Sequence, residues 1–225
     1  MPSTEDTSAR PNATPKSGQR DERPWLLILL GAMGIGGCAA LVIGTVVAPL
    51  FVPDYNWVAD TISDLAAGEW EIIMDVSLYG FAAGLMAIAL AASHVHLGKS
   101  GWSIGVMSLA VLSALVIIIG ARNEYGDNDN EGVVIHIYLV YGLGVLFAVT
   151  SAVMQAGLRA SGHARAGRWL IGFGLAWAIM VPVYLMSPTS IDGVLERILG
   201  VFACGMVVAL SLVFLRRGRD TRRTE

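Results

Sequence analysis

Charge is scarce in this sequence. Asp, Glu, Lys and Arg make up 15% of its 225 residues, whereas a soluble domain carries about 25%. That shortage, with a hydrophobic share of 55% and a mean hydropathy of +0.62, excludes an ordinary water-soluble fold and points to a membrane protein. Cysteine is nearly absent. Cys38 and Cys204 both lie in apolar runs, so they read as small buried hydrophobes and no disulfide framework is expected. The basic residues sit in short tails and turns without interleaved aromatics, which argues against nucleic acid as a partner. Internal repeats and nucleotide motifs are also lacking.

What is present is a set of long apolar runs. A membrane helix needs about 20 apolar residues to cross a hydrocarbon core of roughly 30 Å. Six segments qualify, near 25–51, 72–93, 103–121, 133–156, 168–187 and 194–215. No two-residue alternation marks them as strands of a barrel, so they are expected to be helices. The expected fold is an all-α, polytopic membrane protein, a six-transmembrane-helix bundle spanning 24–216. Residues 1–23, rich in Pro, Ser and Thr, read as a disordered tail rather than a signal peptide. Residues 217–225 read as a basic tail.

The basic residues give the orientation. Of the 15 Lys and Arg residues, 13 fall in the two tails and in the second and fourth connections; only Arg122 and Arg197 fall in the first, third and fifth. The positive-inside rule then places both termini in the cytoplasm, in a multi-pass protein of the cytoplasmic membrane. Trp25, Trp57, Trp70, Trp102 and Trp169 fall near span ends, as interfacial aromatics do. Gly80-Phe-Ala-Ala-Gly84 and Gly101-Trp-Ser-Ile-Gly105 have the spacing of closely packed helices. Pro49 and Pro182 are placed to kink their helices.

The first outer connection, VPDYNWVADTISDLAAGEWEIIMD at 52–75, holds seven acidic or amide side chains and no Lys or Arg. Asp60 and Asp64 are one helical turn apart. This spacing predicts a short interfacial helix near 57–67, with Trp57, Val58, Ile62 and Leu65 toward lipid or protein and both acids toward a polar cavity. Asp75 stands one turn into the second span. It reads either as a favourable charge at a helix N-terminus or as a buried acid facing the bundle interior. In the third connection Asp127, Asp129 and Glu131 alternate like the start of a calcium loop, but the twelfth position is Tyr138, so that pattern fails. His136 follows, one turn into the fourth span. It is either a packed, hydrogen-bonded residue or a proton shuttle beside a carboxylate. His94, His96 and His163 lie on the opposite side, so a histidine zinc site cannot assemble around His136. No metal or other cofactor is expected. In the fifth connection Thr189 precedes Asp192 by three, a weak capping-box spacing. Glu196 and Arg197 then enter the last span. Arg197 is expected to pair with Asp60, Asp64 or Asp75, or else to anchor a lipid phosphate.

PDYNWVADTISDLAAGEW after a first span, an acidic third connection with His136, and GVLERIL opening the last span together resemble a bacterial six-span membrane family, domain of unknown function 998. The most specific element is Asp60-Thr-Ile-Ser-Asp-Leu65. The resemblance covers roughly 25–215. It implies six spans in the cytoplasmic membrane and outward-facing polar residues, here Asp60, Ser63, Asp64, His136, Glu196 and Arg197.

Three functions fit. The first is a binding protein whose outer pocket of Asp60, Asp64, Asp75, His136, Glu196 and Arg197 holds a lipid headgroup or small cation, or docks another membrane protein. The second is an intramembrane lipid hydrolase or transferase with Ser63 as nucleophile, His136 as base and Asp64 or Asp60 as the orienting acid. The third is a proton-coupled carrier titrating at Asp75 and His136.

Overall fold

Six apolar helices dominate the chain, as the hydropathy requires. The computed structural model describes residues 22–67, 70–98, 100–121 and 135–224, except the side chains of 135–137 and 224. Among these residues there is no strand. The helices are α1 (Pro24–Val47), α2 (Ile62–Leu65), α3 (Glu71–Val95), α4 (Ser100–Ala121), α5 (Ile135–Ala160), α6 (Ala164–Met186) and α7 (Asp192–Thr224). All except α2 are long and apolar enough to cross a membrane. The protein is a multi-pass membrane protein.

Each long helix packs on its chain neighbour, and α7 closes the set by packing on both α6 and α1. The result is a ring. Without a hydrophobic drive between helices in lipid, close van der Waals approach must hold them. On α1 the approach runs through glycine. A Cβ at Gly37 would sit 2.7 Å from the Gly80 carbonyl and 2.9 Å from Gly84 Cα, and one at Gly34 would sit 2.3 Å from Ser211 Oγ. The Gly80/Gly84 spacing is therefore the α1–α3 contact. Gly105 does the same between α4 and α5, 2.1 Å from Met154 Cγ by the same measure. Cys38 and Cys204 are free and buried, with Cys38 Sγ 3.7 Å from the Cys204 carbonyl.

One expectation changes here. Trp102 is not interfacial: it is 1% exposed and donates its indole N–H to the Ala92 carbonyl at 2.7 Å. It fills the space between glycines, since a Cβ at Gly157 would meet its ring at 2.8 Å. Residues 217–224 continue α7 as helix. Its 33 residues make about 50 Å of helix, more than a bilayer core needs. Arg217 pairs with Glu22 through two 2.7 Å bonds, and Arg222 lies 4.0 Å over the Trp25 ring. The start of α1 is thus fastened to the end of α7. Residues 1–21 lie outside the described residues. Pro182 stays inside α6, while Pro49 falls in the 3-10 turn Ala48–Leu50 that ends the first span.

Candidate functional site: a cavity roofed by the first connection

Between α1 and α3 the chain folds into turns, not the expected interfacial helix. Among the described residues after the 3-10 turn, only Ile62–Leu65 is helical. The reason lies in the polar side chains, which bond to nearby backbone and compete with a helix. Asn56 Oδ1 accepts from Val58 N at 3.0 Å, and Asp60 Oδ2 accepts from Asn56 N at 2.7 Å. Thr61 caps α2: its Oγ1 accepts from Asp64 N at 3.0 Å, while Asp64 Oδ2 accepts from Thr61 N at 2.7 Å. This is a capping box, written in the sequence as Thr61-Ile-Ser-Asp64. The carboxylates of Asp60 and Asp64 therefore stitch their own connection through Oδ2. Ile62 and Leu65 face protein and are buried, and Trp57 and Val58 lie on the outer surface.

The first turns of α7 hold this connection in place. Gly193 N donates to the Ala59 carbonyl at 3.1 Å and Val194 N to the Val58 carbonyl at 3.2 Å. Gly193 must be glycine, because a Cβ there would lie 2.2 Å from the Asp60 carbonyl. Arg197 Nη1 donates to the carbonyls of Gly193, Asp60 and Trp57 at 2.7, 3.0 and 3.2 Å. Its Nη2 donates to the Tyr55 hydroxyl, and its guanidinium carbon lies 4.7 Å over the Trp57 ring. The expected ion pair is absent: among the described residues no carboxylate pairs with Arg197. Two carbonyls of the first connection and one of α7 converge on Nη1, while the buried Nε has no hydrogen-bond partner among the described residues. Asp192 takes its hydrogen bond from Ser187 Oγ at 2.5 Å, not from Thr189.

Glu196 reaches the other way. Its Oε2 accepts from Ile62 N, and its Oε1 accepts from Ser63 Oγ at 3.1 Å. A carboxylate from α7 thus sits at the start of α2. Beneath it lies a cavity of about 140 Å³ in the middle of the helix ring. Ile62, Ser63 and Ala66 form its roof; Leu41, Phe81, Val116, Phe147, Trp177 and Leu199 are among its walls. Its polar contributors are Ser63, Tyr184 and Glu196, and every other lining residue is apolar. The α7 lining runs from Glu196 to Ala203, which is about 10 Å of helix.

Tyr55 is the pivot of the fastening. Its hydroxyl donates to the carbonyls of Asp60 and Thr61 at 2.9 and 2.8 Å while accepting from Arg197. Burial raises its pKa above the ordinary 10.0, and the Arg197 hydrogen bond offsets part of the rise. An acid whose folded pKa is raised contributes stability below its unfolded pKa and loses it as pH climbs through the folded one. We expect the connection to loosen above pH 10, with a delayed phenolate transition at 295 nm that is missing in Tyr55→Phe. A Tyr55→Phe titration indistinguishable from the parent would contradict this.

Asp60, Ser63, Asp64, Glu196 and Arg197 are thus brought together. Asp75 is not part of the cavity lining, and its buried Oδ1 has no hydrogen-bond partner among the described residues. The backbone of His136 lies in the first turn of α5; its side chain, Arg122 and the calcium-like stretch lie outside the described residues. The feature that sequence reasoning missed is the cavity itself, whose walls come from seven helices at unrelated positions.

This arrangement defines a class: a six-span membrane bundle with a mostly apolar central cavity under a polar roof. The chain matches the family model Protein of unknown function (DUF998) over residues 25–213 and belongs to that family. No curated protein and no solved structure matches it.

Proposed function

We propose that this protein binds a small lipid-soluble molecule in the roofed cavity, on the side of the cytoplasmic membrane facing away from the cytoplasm. The orientation follows from the basic residues gathered at the opposite end. The observation that carries the reading is the lining: an apolar chamber with its polar groups collected at one end, the usual make-up of a ligand site. An apolar cavity of about 150 Å³ is large enough to take a benzene ring, and this one has about 140 Å³. Asp60 and Asp64 bond within the roof, which supports a buried apolar ligand over a lipid headgroup or a surface cation.

Gly200 provides the test. It lines the cavity, and a Cβ there would meet only Ile62 Cδ1, at 4.0 Å. Gly200→Leu should fill the chamber without moving backbone. It should stabilise the protein by about 1–2 kcal/mol, from helix propensity and cavity filling, and raise the melting temperature by about 3 °C. Protein extracted with native lipid should carry a small apolar molecule, detected by mass spectrometry, that Gly200→Leu loses. Equal retention by the two proteins would remove the proposal.

A further inference from the structure

At the end of the bundle where α1 starts and α7 finishes, α7 changes character abruptly. Its apolar run stops at Leu215, and Arg216, Arg217, Arg219, Arg222 and Arg223 follow. Two of these are engaged by α1: Arg217 by the Glu22 carboxylate and Arg222 by the Trp25 ring. The other three are exposed, and among the described residues none of them forms an ion pair. They follow Leu212 at helical spacing, which puts them on its face of the helix. Val201 and Leu212, on that same face, are 62% and 39% exposed within the apolar run. The side of α7 that meets lipid tails therefore meets the headgroup layer with Arg216, Arg219 and Arg223. The level agrees. A Cβ at Gly218 would lie 2.7 Å from the Pro24 carbonyl, so this part of α7 stands beside the start of the first apolar run. Arg223 is about 8 Å farther along the axis, and a headgroup layer is roughly 5–8 Å deep.

The rest of the chain does not balance this charge. At that end the described residues hold nine arginines and two acids, Glu22 and Asp220, and Glu22 already pairs with Arg217. Residues 1–21 carry three acids and three bases, and Lys99 offsets Glu225, so neither alters the surplus. From these observations we infer that Arg216, Arg219 and Arg223 bind anionic phospholipid headgroups in the adjoining leaflet, the cytoplasmic one in the orientation proposed above. A guanidinium takes a phosphate through two parallel N–H donors, and each basic side chain at a charged surface adds about fivefold to the affinity. This site lies at the opposite end of the bundle from the cavity roof and does not depend on what the cavity holds.

The test is lipid retention by the full-length protein. It is reconstituted in vesicles of equal parts phosphatidylglycerol and phosphatidylcholine, extracted in mild detergent and weighed with its bound lipid by native mass spectrometry. The parent should retain phosphatidylglycerol over phosphatidylcholine by about tenfold or more. The triple variant Arg216→Gln/Arg219→Gln/Arg223→Gln should bring that ratio to within about threefold. Arg10→Gln/Lys16→Gln/Arg20→Gln removes equal charge ahead of α1 and should leave the ratio within about twofold of the parent. The three α7 positions are exposed, so helical content should not change. Arg216→Gln and Arg219→Gln alone, each lowering the ratio by about threefold, give a second readout if the triple variant does not insert. Equal retention of the two lipids by the parent, or an equal fall in both triple variants, would overturn the inference. So would release of the bound lipid by free glycerol phosphate, which would show a site for a soluble anion rather than for a membrane surface.

Discussion

Arg197→Met will melt about 10 °C below the parent protein while keeping its helical content. The guanidinium donates to three carbonyls and a phenol. Methionine replaces the aliphatic stem and none of the donors. Hydrogen bonds from charged groups contribute about 1.5–3 kcal/mol each but do not add, because they share one side chain. With the Trp57 carbonyl losing its Arg197 donor and the Asp60 carbonyl keeping only the Tyr55 hydroxyl, a loss of about 3–5 kcal/mol follows, which for a chain of this size is roughly 10 °C. Arg197→Lys will recover less than half, since a single ammonium cannot span these acceptors. Hydrogen exchange localises the effect. The amides of Asp60, Gly193 and Val194, bonded to Asn56, Ala59 and Val58, should lose protection, while those in the middle of α3 and α7 should not. A variant that melts within about 2 °C of the parent would show that the connection is held by something other than Arg197.

Gly37→Leu should be as damaging for a different reason. Its Cβ would meet backbone on both sides of the Gly80/Gly84 seam, at 2.7 and 2.9 Å, and backbone cannot step aside as a side chain can. The α1–α3 pair must separate, at a cost of about 3 kcal/mol or more. Gly36→Leu is the matched control, because a Cβ at Gly36 has nothing within 4 Å. That substitution should be neutral or slightly stabilising, as glycine is a poor helix former. Thermal or detergent-titrated unfolding of the two variants side by side decides the point. Similar stabilities would mean that lipid or repacking absorbs the clash.

The two variants also mark how far a sequence can be read. The Gly80/Gly84 spacing announces a close contact, but only the packed bundle names Gly37 as its partner. Arg197 stood out as an isolated cation among acids, and its expected partners were those acids. The structure gives it carbonyls, while Asp60 and Asp64 each turn Oδ2 back onto their own connection, to Asn56 and Thr61. Those local bonds were legible in principle: Thr61-Ile-Ser-Asp64 is a capping-box spacing. They were missed because an amphipathic reading of Asp60 and Asp64 explained the same residues. Trp102 shows the converse error. Its place near a span end suggested an interface, yet glycines at 98 and 157 leave room for its ring inside.

The sequence by itself determined six apolar helices, the segregation of charge between the two ends, and the family. These follow from composition and from runs of about 20 residues, both local properties that lipid enforces on any backbone crossing it. Tertiary structure alone decided that the helices close into a ring, that the connection after the first span is its roof, and that Glu196 and Ser63 meet above a chamber walled by Phe81, Phe147 and Trp177. A cavity is the space that packing leaves unfilled. Its walls come from positions as far apart as Leu41 and Ala203, and no pattern along the chain records which of them will face one another.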